Sequence, residues 1–172
     1  VVLHLPMQPL GGAADPGPGA IQIGQSRAEL ASVLAADLAA VPFVVGVSNH
    51  MGSLLTQQAD RMGWLMDELH RREPLFFLDS YTTAASVGFA AAREYGVPAL
   101  RRDVFLDADP APAAIEAQWK RLLARARTHG AAVGIGHPYA ATLALLEREL
   151  PALAASGIAL VPLSALLHGG AP

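Results

Sequence analysis

Residues 43–72, FVVGVSNHMGSLLTQQADRMGWLMDELHRR, carry the pattern that decides the fold. The stretch opens with an almost unbroken apolar run at 43–47, as expected of a strand covered on both faces. Polar Asn49 and His50 follow, then a loop, then a helix predicted over 56–72. Met62, Leu65, Met66 and Leu69 recur there at helical spacing, and core filling is the default reading for the two methionines. Strand, polar tip, loop and helix together make one βα unit.

The same order repeats on both sides. Apolar runs at 1–5, 75–78, 97–100, 133–136 and 158–161 read as further strands. Ser26, with Glu29 three residues on, reads as a capping box opening a helix whose apolar stripe is Leu30, Val33, Leu34 and Leu38. A small-residue helix is expected over 83–95, stopping at Gly96. Asp109 with Pro110 is expected to cap and start a long helix through Ile115, Trp119, Leu122 and Leu123 to Gly130. A last helix is expected over 141–155. The Gly/Pro-rich segment 11–19 is too punctuated for either element and should run over the downstream rim of the sheet. This alternation predicts an α/β domain spanning 1–172, with about six parallel strands and right-handed helical crossovers.

Polar residues fall at the downstream ends of those runs: His4, Asn49 with His50, Asp79, Asp103 and His137. Parallel strands would bring these positions to one rim, where α/β barrels and open sheets keep their chemistry. His70 and His129 fall in last helical turns and His168 in a Gly-rich tail, so all three read as surface. Asp107 and Asp109 read as loop and helix-cap residues rather than catalysts.

Composition narrows the function classes. With 172 residues, 52% hydrophobic and 16% charged, the chain can bury one core and is not of disordered type. A net charge of -3 and a pI near 6.0 argue against a nucleic-acid partner. No cysteine is present, so any metal would be held by imidazole, carboxylate and water. No apolar run reaches membrane-spanning length and no signal peptide is visible in the segment. Ser53 is not set in a nucleophile elbow, and no strand is followed by a Gly-rich phosphate loop with lysine.

Five motifs occur in order: Leu3-His4-Leu5-Pro6-Met7, Asn49-His50-Met51-Gly52-Ser53, Phe76-Phe77-Leu78-Asp79-Ser80, Arg102-Asp103-Val104-Phe105-Leu106-Asp107 and Gly136-His137-Pro138-Tyr139. As an ordered set over essentially the whole chain, they resemble the divergent polysaccharide deacetylase family of bacterial envelope proteins. The resemblance implies a distorted (β/α) barrel, incomplete here. It also implies a preceding strand ending in paired aspartates, one a metal ligand and the other the general base. The chain, which opens inside an apolar run, is accordingly expected to be the C-terminal part of such a domain.

For chemistry, the resemblance implies a divalent ion, most plausibly zinc, acting on N-acetyl groups of a polysaccharide or smaller glycan. The expected metal ligands are His4 and His50; the position where relatives carry a second histidine is Gln8, a far weaker zinc ligand. His137 resembles the histidine that protonates the leaving nitrogen. Asp79 and Asp103 are expected as catalytic residues that orient the imidazoles or coordinate the ion directly, and Asn49, Arg102 and Tyr139 as substrate-binding residues. A periplasmic or secreted location follows from the same resemblance. The alternative is a non-catalytic envelope binding or scaffolding protein that keeps the barrel, for which Gln8 and the missing aspartates argue.

Overall fold

The computed structural model describes residues 1–12, 14–72 and 74–167. They fall into two compact units, Val1–Arg101 and Arg102–Pro172, each described by itself.

In the first unit, β1 (Val2–Met7), β2 (Gly46–Met51), β3 (Phe76–Asp79) and β4 (Ala99–Arg101) form a parallel sheet in the order β1-β2-β3-β4. Successive strands are neighbours, and each is joined to the next through α1 (Arg27–Ala40), α2 (Ala59–His70) or α3 (Gly88–Glu94). Alternation along β1 explains the layering: Leu3, Leu5 and Met7 are buried while His4 is exposed. The buried set packs with Leu30 and Leu34 of α1 and with Met62, Leu65, Met66 and Leu69 of α2. α1 starts where its capping box dictates: Ser26 N–H donates to Glu29 Oε2 at 2.7 Å and Glu29 N–H to Ser26 Oγ at 3.3 Å.

In the second unit, β5 (Val104–Phe105) and β6 (Gly134–Ile135) form a short parallel pair. α4 (Pro112–His129) and α5 (Ala140–Glu149) pack on it through Val104, Leu106, Ile115, Trp119 and Leu145. α4 ends at Gly130 in the left-handed conformation (φ 81°), which a residue without Cβ adopts most easily.

The chain is thus a parallel α/β fold with flanking helices, but its strands form two sheets, four plus two, and the barrel is not closed. The run at 158–161 is not a strand. Ile158 packs on the second core, while Leu160 and Val161 are exposed with no strand partner. The strand that pairs with β6 is Val104–Phe105 instead, inside the motif that starts at Arg102.

Other boundaries moved for local reasons. β1 and β2 continue past their apolar runs to Met7 and Met51, because the ladder is made by backbone groups and does not need apolar side chains. His4 is therefore mid-strand, and Asn49 and His50 lie inside β2. The helix expected from 56 splits into a 3₁₀ turn, Leu55–Gln57, and α2, with extended backbone at Gln58 between them. α4 starts at Pro112 rather than after Asp109; Asp109 Oδ1 instead accepts from Ala111 N–H at 2.9 Å. α5 stops at Glu149 because Pro151 lacks an N–H to continue it, and the chain goes on in the 3₁₀ turns Leu150–Ala152 and Ala154–Ser156.

Leu5 is fully buried at the centre of the first unit. Leu5→Ala should lower stability by about 2–5 kcal/mol, and Ser26→Ala by about 1 kcal/mol through loss of the cap. Urea denaturation of the two variants would check that ordering, and an equal loss from both would contradict it.

Candidate functional site

The β1–β2 register opposes His4 to Ser48 and Pro6 to His50. His4 and His50 therefore share the sheet face opposite Leu3, Leu5 and Met7, offset diagonally by two residues. Their ring centroids lie 5.1 Å apart with planes at 63°. His4 Nδ1 lies 2.8 Å from Ser48 Oγ, and Ser48 is itself buried. That contact orients the His4 ring and turns Nε2 away from Ser48.

Two imidazoles sharing one tetrahedral ion, with metal–nitrogen bonds of about 2.0–2.1 Å, have ring centres roughly 5 Å apart. The His4–His50 spacing fits that requirement, and a hydrogen bond on the other ring nitrogen is the usual companion of a ligating histidine. Among the described residues, no group of three or more His, Asp or Glu side chains is arranged to hold an ion. Among the described residues, His4 and His50 are thus a pair of nitrogen donors, one fewer than a catalytic zinc takes from protein.

Gln8 is engaged elsewhere. Its Oε1 accepts from Ile23 N–H at 2.9 Å, its N–H donates to Ile21 O, and its carbonyl accepts from the N–H groups of Leu54 and Leu55. It clamps the Gly/Pro-rich loop, which leaves the C-terminal end of β1 and borders an open depression with Gln22 and Leu54.

Asn49 and Asp79 are fully buried and turned to the backbone. Asn49 Nδ2 donates to Met51 O at 2.8 Å, and its Oδ1 accepts from Ser80 N–H at 2.8 Å, tying the end of β2 to that of β3. Asp79 Oδ1 accepts from Tyr81 N–H at 2.8 Å, while Oδ2 accepts from Ser86 Oγ at 2.8 Å and Phe89 N–H at 3.0 Å. These bonds hold Tyr81 at φ 51° and delay α3 until Gly88, five residues later than the sequence pattern predicts. Both side chains are used in shaping the loops after β2 and β3, away from the roles of substrate contact and imidazole partner expected for them.

In the second unit, Asp103 is also taken up by structure. Arg125 Nε and Val133 N–H reach its two oxygens at 3.0 and 2.8 Å. The carboxylate that meets an imidazole is Asp107, which the sequence reading set aside as a loop residue. Its side chain is fully buried. Oδ1 lies 3.0 Å from His137 Nδ1, and Oδ2 accepts from His137 N–H at 2.6 Å and Thr142 Oγ1 at 2.8 Å. Burial alone would raise the Asp107 carboxyl; the bonds from His137 and Thr142, with the charge of the His137 ring, outweigh it and hold the group below the ordinary aspartate value.

His137 is partly exposed, with the rings of Phe105 and Tyr139 at 5.3 and 5.1 Å. Its Nδ1 faces Asp107, so that contact leaves Nε2 on the far side of the ring from the carboxylate. Tyr139 is half-exposed at the head of α5, and the Arg102 guanidinium lies 5.0 Å over the Phe105 ring. His70 and His129 are exposed at helix ends, as expected; His168 lies outside the described residues. The signal for Asp107 was present in the sequence: it closes the apolar run 104–106 just as Asp79 closes 75–78. Nothing in the sequence pairs Ser48 with His4, since that contact depends on register.

A family model described as divergent polysaccharide deacetylase matches residues 1–167, and the chain belongs to that family. It is 38% identical to an uncharacterized protein of Haemophilus influenzae over 88% of this chain and 54% of the relative. It is 36% identical to the uncharacterized protein YibQ of Escherichia coli over 98% of this chain and 52% of the relative. The chain thus spans about half the length of these curated relatives. The crystal structure of an uncharacterized protein from Agrobacterium tumefaciens C58 superposes with a TM-score of 0.90 at 26% identity, covering 94% of this chain and 66% of the other.

Asp107 gives a pH-dependent contribution whose sign is set. Its carboxyl is more acidic folded than unfolded, so ionisation favours the fold. The contribution is complete above the ordinary aspartate value of about 3.9 and is lost as pH falls through the depressed folded value. Asp107→Asn should be less stable at pH 7 and show a shallower loss of stability on acidification. Urea midpoints measured for both proteins down to about pH 3 would check this; parallel curves would refute it.

Proposed function

We propose that the whole protein to which this chain belongs is a metal-dependent hydrolase of the polysaccharide deacetylase type, removing N-acetyl groups from a bacterial envelope glycan. The observation that carries this reading is the His4–His50 pair, set 5.1 Å apart on one sheet face with Ser48 orienting one ring. Membership of the divergent polysaccharide deacetylase family supports this reading. His4 and His50 would hold the ion, zinc in this reading, and the site would need at least one further ligand. Such an ion, when bound, polarises an amide carbonyl and acidifies water.

The chain's other contribution is a proton. Water adds to the acetyl carbon and the C–N bond breaks, so the departing nitrogen must be protonated to leave as an amine. His137 Nε2 is the donor in this reading, and Asp107 is the positioning residue whose Oδ1, 3.0 Å from Nδ1, orients the ring. Tyr139 and Phe105, beside the imidazole, suit the apolar face of a sugar ring, and Arg102 stacks behind Phe105. The protein would work at the envelope, periplasmic or secreted.

The second reading is a glycan-binding or scaffolding protein without catalysis. What favours it is that Gln8, Asp79 and Asp103 are all committed to backbone or arginine.

Zinc titration and acetate release, measured on the folded whole protein with an N-acetylated oligosaccharide, separate the readings. His50→Ala should weaken zinc binding more than about a hundredfold, and Ser48→Ala about ten- to hundredfold, the range for groups that orient a ligand. His70→Ala should leave zinc binding unchanged. His137→Ala should keep zinc and slow acetate release by about a hundredfold or more. Equal zinc affinity across the histidine variants would overturn the ligand assignment, and a wild type that binds the oligosaccharide without releasing acetate would favour the scaffold.

A further inference from the structure

The arginines of the first unit divide into two groups. Arg27, Arg61, Arg71 and Arg72 each meet a carboxylate: Asp67 for Arg27 and Arg71, Asp60 for Arg61, and Glu68 for Arg72. Arg93 and Arg101 have no ion pair or hydrogen bond from their guanidinium groups among the described residues, and the two converge on one ring. The Arg101 guanidinium lies 4.8 Å over Tyr81 and 6.0 Å from Phe89, and Arg93 lies 5.9 Å from Phe89 on the same ring. What sets these two apart from the other arginines is that they share the Phe89 ring.

Their setting is built rather than incidental. Arg101 is the last residue of β4, opposite Asp79 in the parallel register, so its backbone is fixed by the sheet. Tyr81 is held beneath it in a left-handed conformation, φ 51°, that a bulky residue rarely adopts, by its N–H bond to buried Asp79 Oδ1. Phe89 is fixed by its own N–H bond to Asp79 Oδ2. One buried carboxylate therefore sets both aromatic platforms. A guanidinium stacked on a ring keeps its edge N–H donors directed outward, in a fork that matches the two oxygens of a carboxylate or phosphate.

We propose that Arg101, supported by Arg93 on the Tyr81–Phe89 platform, is an oxyanion-binding site at the C-terminal end of β3 and β4, taking a carboxylate or phosphate group carried by a saccharide ligand. The saccharide rests on the deacetylase reading; the oxyanion site does not, because it follows from two cations that have no ion pair among the described residues and lie over neighbouring aromatic rings. Stacking supplies orientation, and charge-assisted hydrogen bonds supply affinity.

The test is side-chain NMR of the arginine Nε–Hε groups in the whole protein, titrated separately with glucuronate, inorganic phosphate and neutral glucose. Glucuronate or phosphate should shift the Arg101 resonance saturably and that of Arg93 to a lesser extent, and glucose should shift neither. A response to glucuronate identifies a carboxylated sugar, and one to phosphate alone identifies a phosphorylated ligand; either supports the site. Arg101→Gln should weaken binding at least about tenfold. Tyr81→Ala, which keeps both charges but removes the platform, should weaken it severalfold, and Arg71→Gln should have no effect. Absence of a saturable shift with either anion, or binding by Arg101→Gln equal to wild type at unchanged thermal stability, overturns the proposal. Acetate release is read separately: anion binding without deacetylation keeps the site and removes the deacetylase reading.

Discussion

The pairing of β1 with β2 is the constraint on which the first unit depends. Its six-residue parallel ladder opposes His4 to Ser48 and Pro6 to His50. Side chains alternate with a period of two, so a slip of one residue in β1 would turn Leu3, Leu5 and Met7 out of the core and move His4 into it. The apolar face against α1 and α2 therefore holds the two imidazoles in place from behind. Packing also pins the edge of β2: a side chain at Gly46 would lie 2.6 Å from the Phe76 ring, which keeps that position open for β3 to approach.

Carboxylates at strand ends do the second part of the construction. Asp79, Asp103 and Asp107 each follow or close a strand, and each accepts from at least one backbone N–H of a distant or following segment. A buried carboxylate left without such donors is costly, and backbone N–H groups left without it would be orphaned. Asp79 and Asp107 thus set the course of the loops that follow β3 and β5, whereas Asp103 fastens the segments that enter β5 and β6. Of the three, only Asp107 also reaches an imidazole, that of His137. Asp79 instead fixes the backbone that carries the Tyr81 and Phe89 rings, over which Arg101 and Arg93 lie.

Much of the architecture is legible in the chain alone because it rests on local rules. The capping box at Ser26 and Glu29, the helical stripe from Met62 to Leu69 and the stop at Gly130 all lie where spacing and backbone preference put them. The parallel pairing of strands joined through helices follows from the βα alternation. The His4 and His50 motifs are also visible as polar residues among apolar runs, and the ordered motif set points to the family that the comparison assigns.

What the sequence could not decide are the contacts between residues distant along the chain. Ile158 to Val161 has the composition of a strand, yet a strand exists only where a neighbour offers its backbone, and here β6 pairs with Val104–Phe105. Asp79, Asp103 and Asp107 look alike in sequence; their separation into loop fastener, arginine partner and histidine partner depends on which N–H groups and side chains the fold brings within 3.0 Å of each carboxylate. Ser48 on His4 is likewise a consequence of register, 44 residues apart in the chain. The sequence by itself determined the periodic elements and the residue types available for chemistry, because backbone preference and hydrophobic spacing act locally. Tertiary structure alone decided which polar group meets which, because hydrogen bonds and ring contacts act over a few ångströms between segments that only the folded sheet brings together.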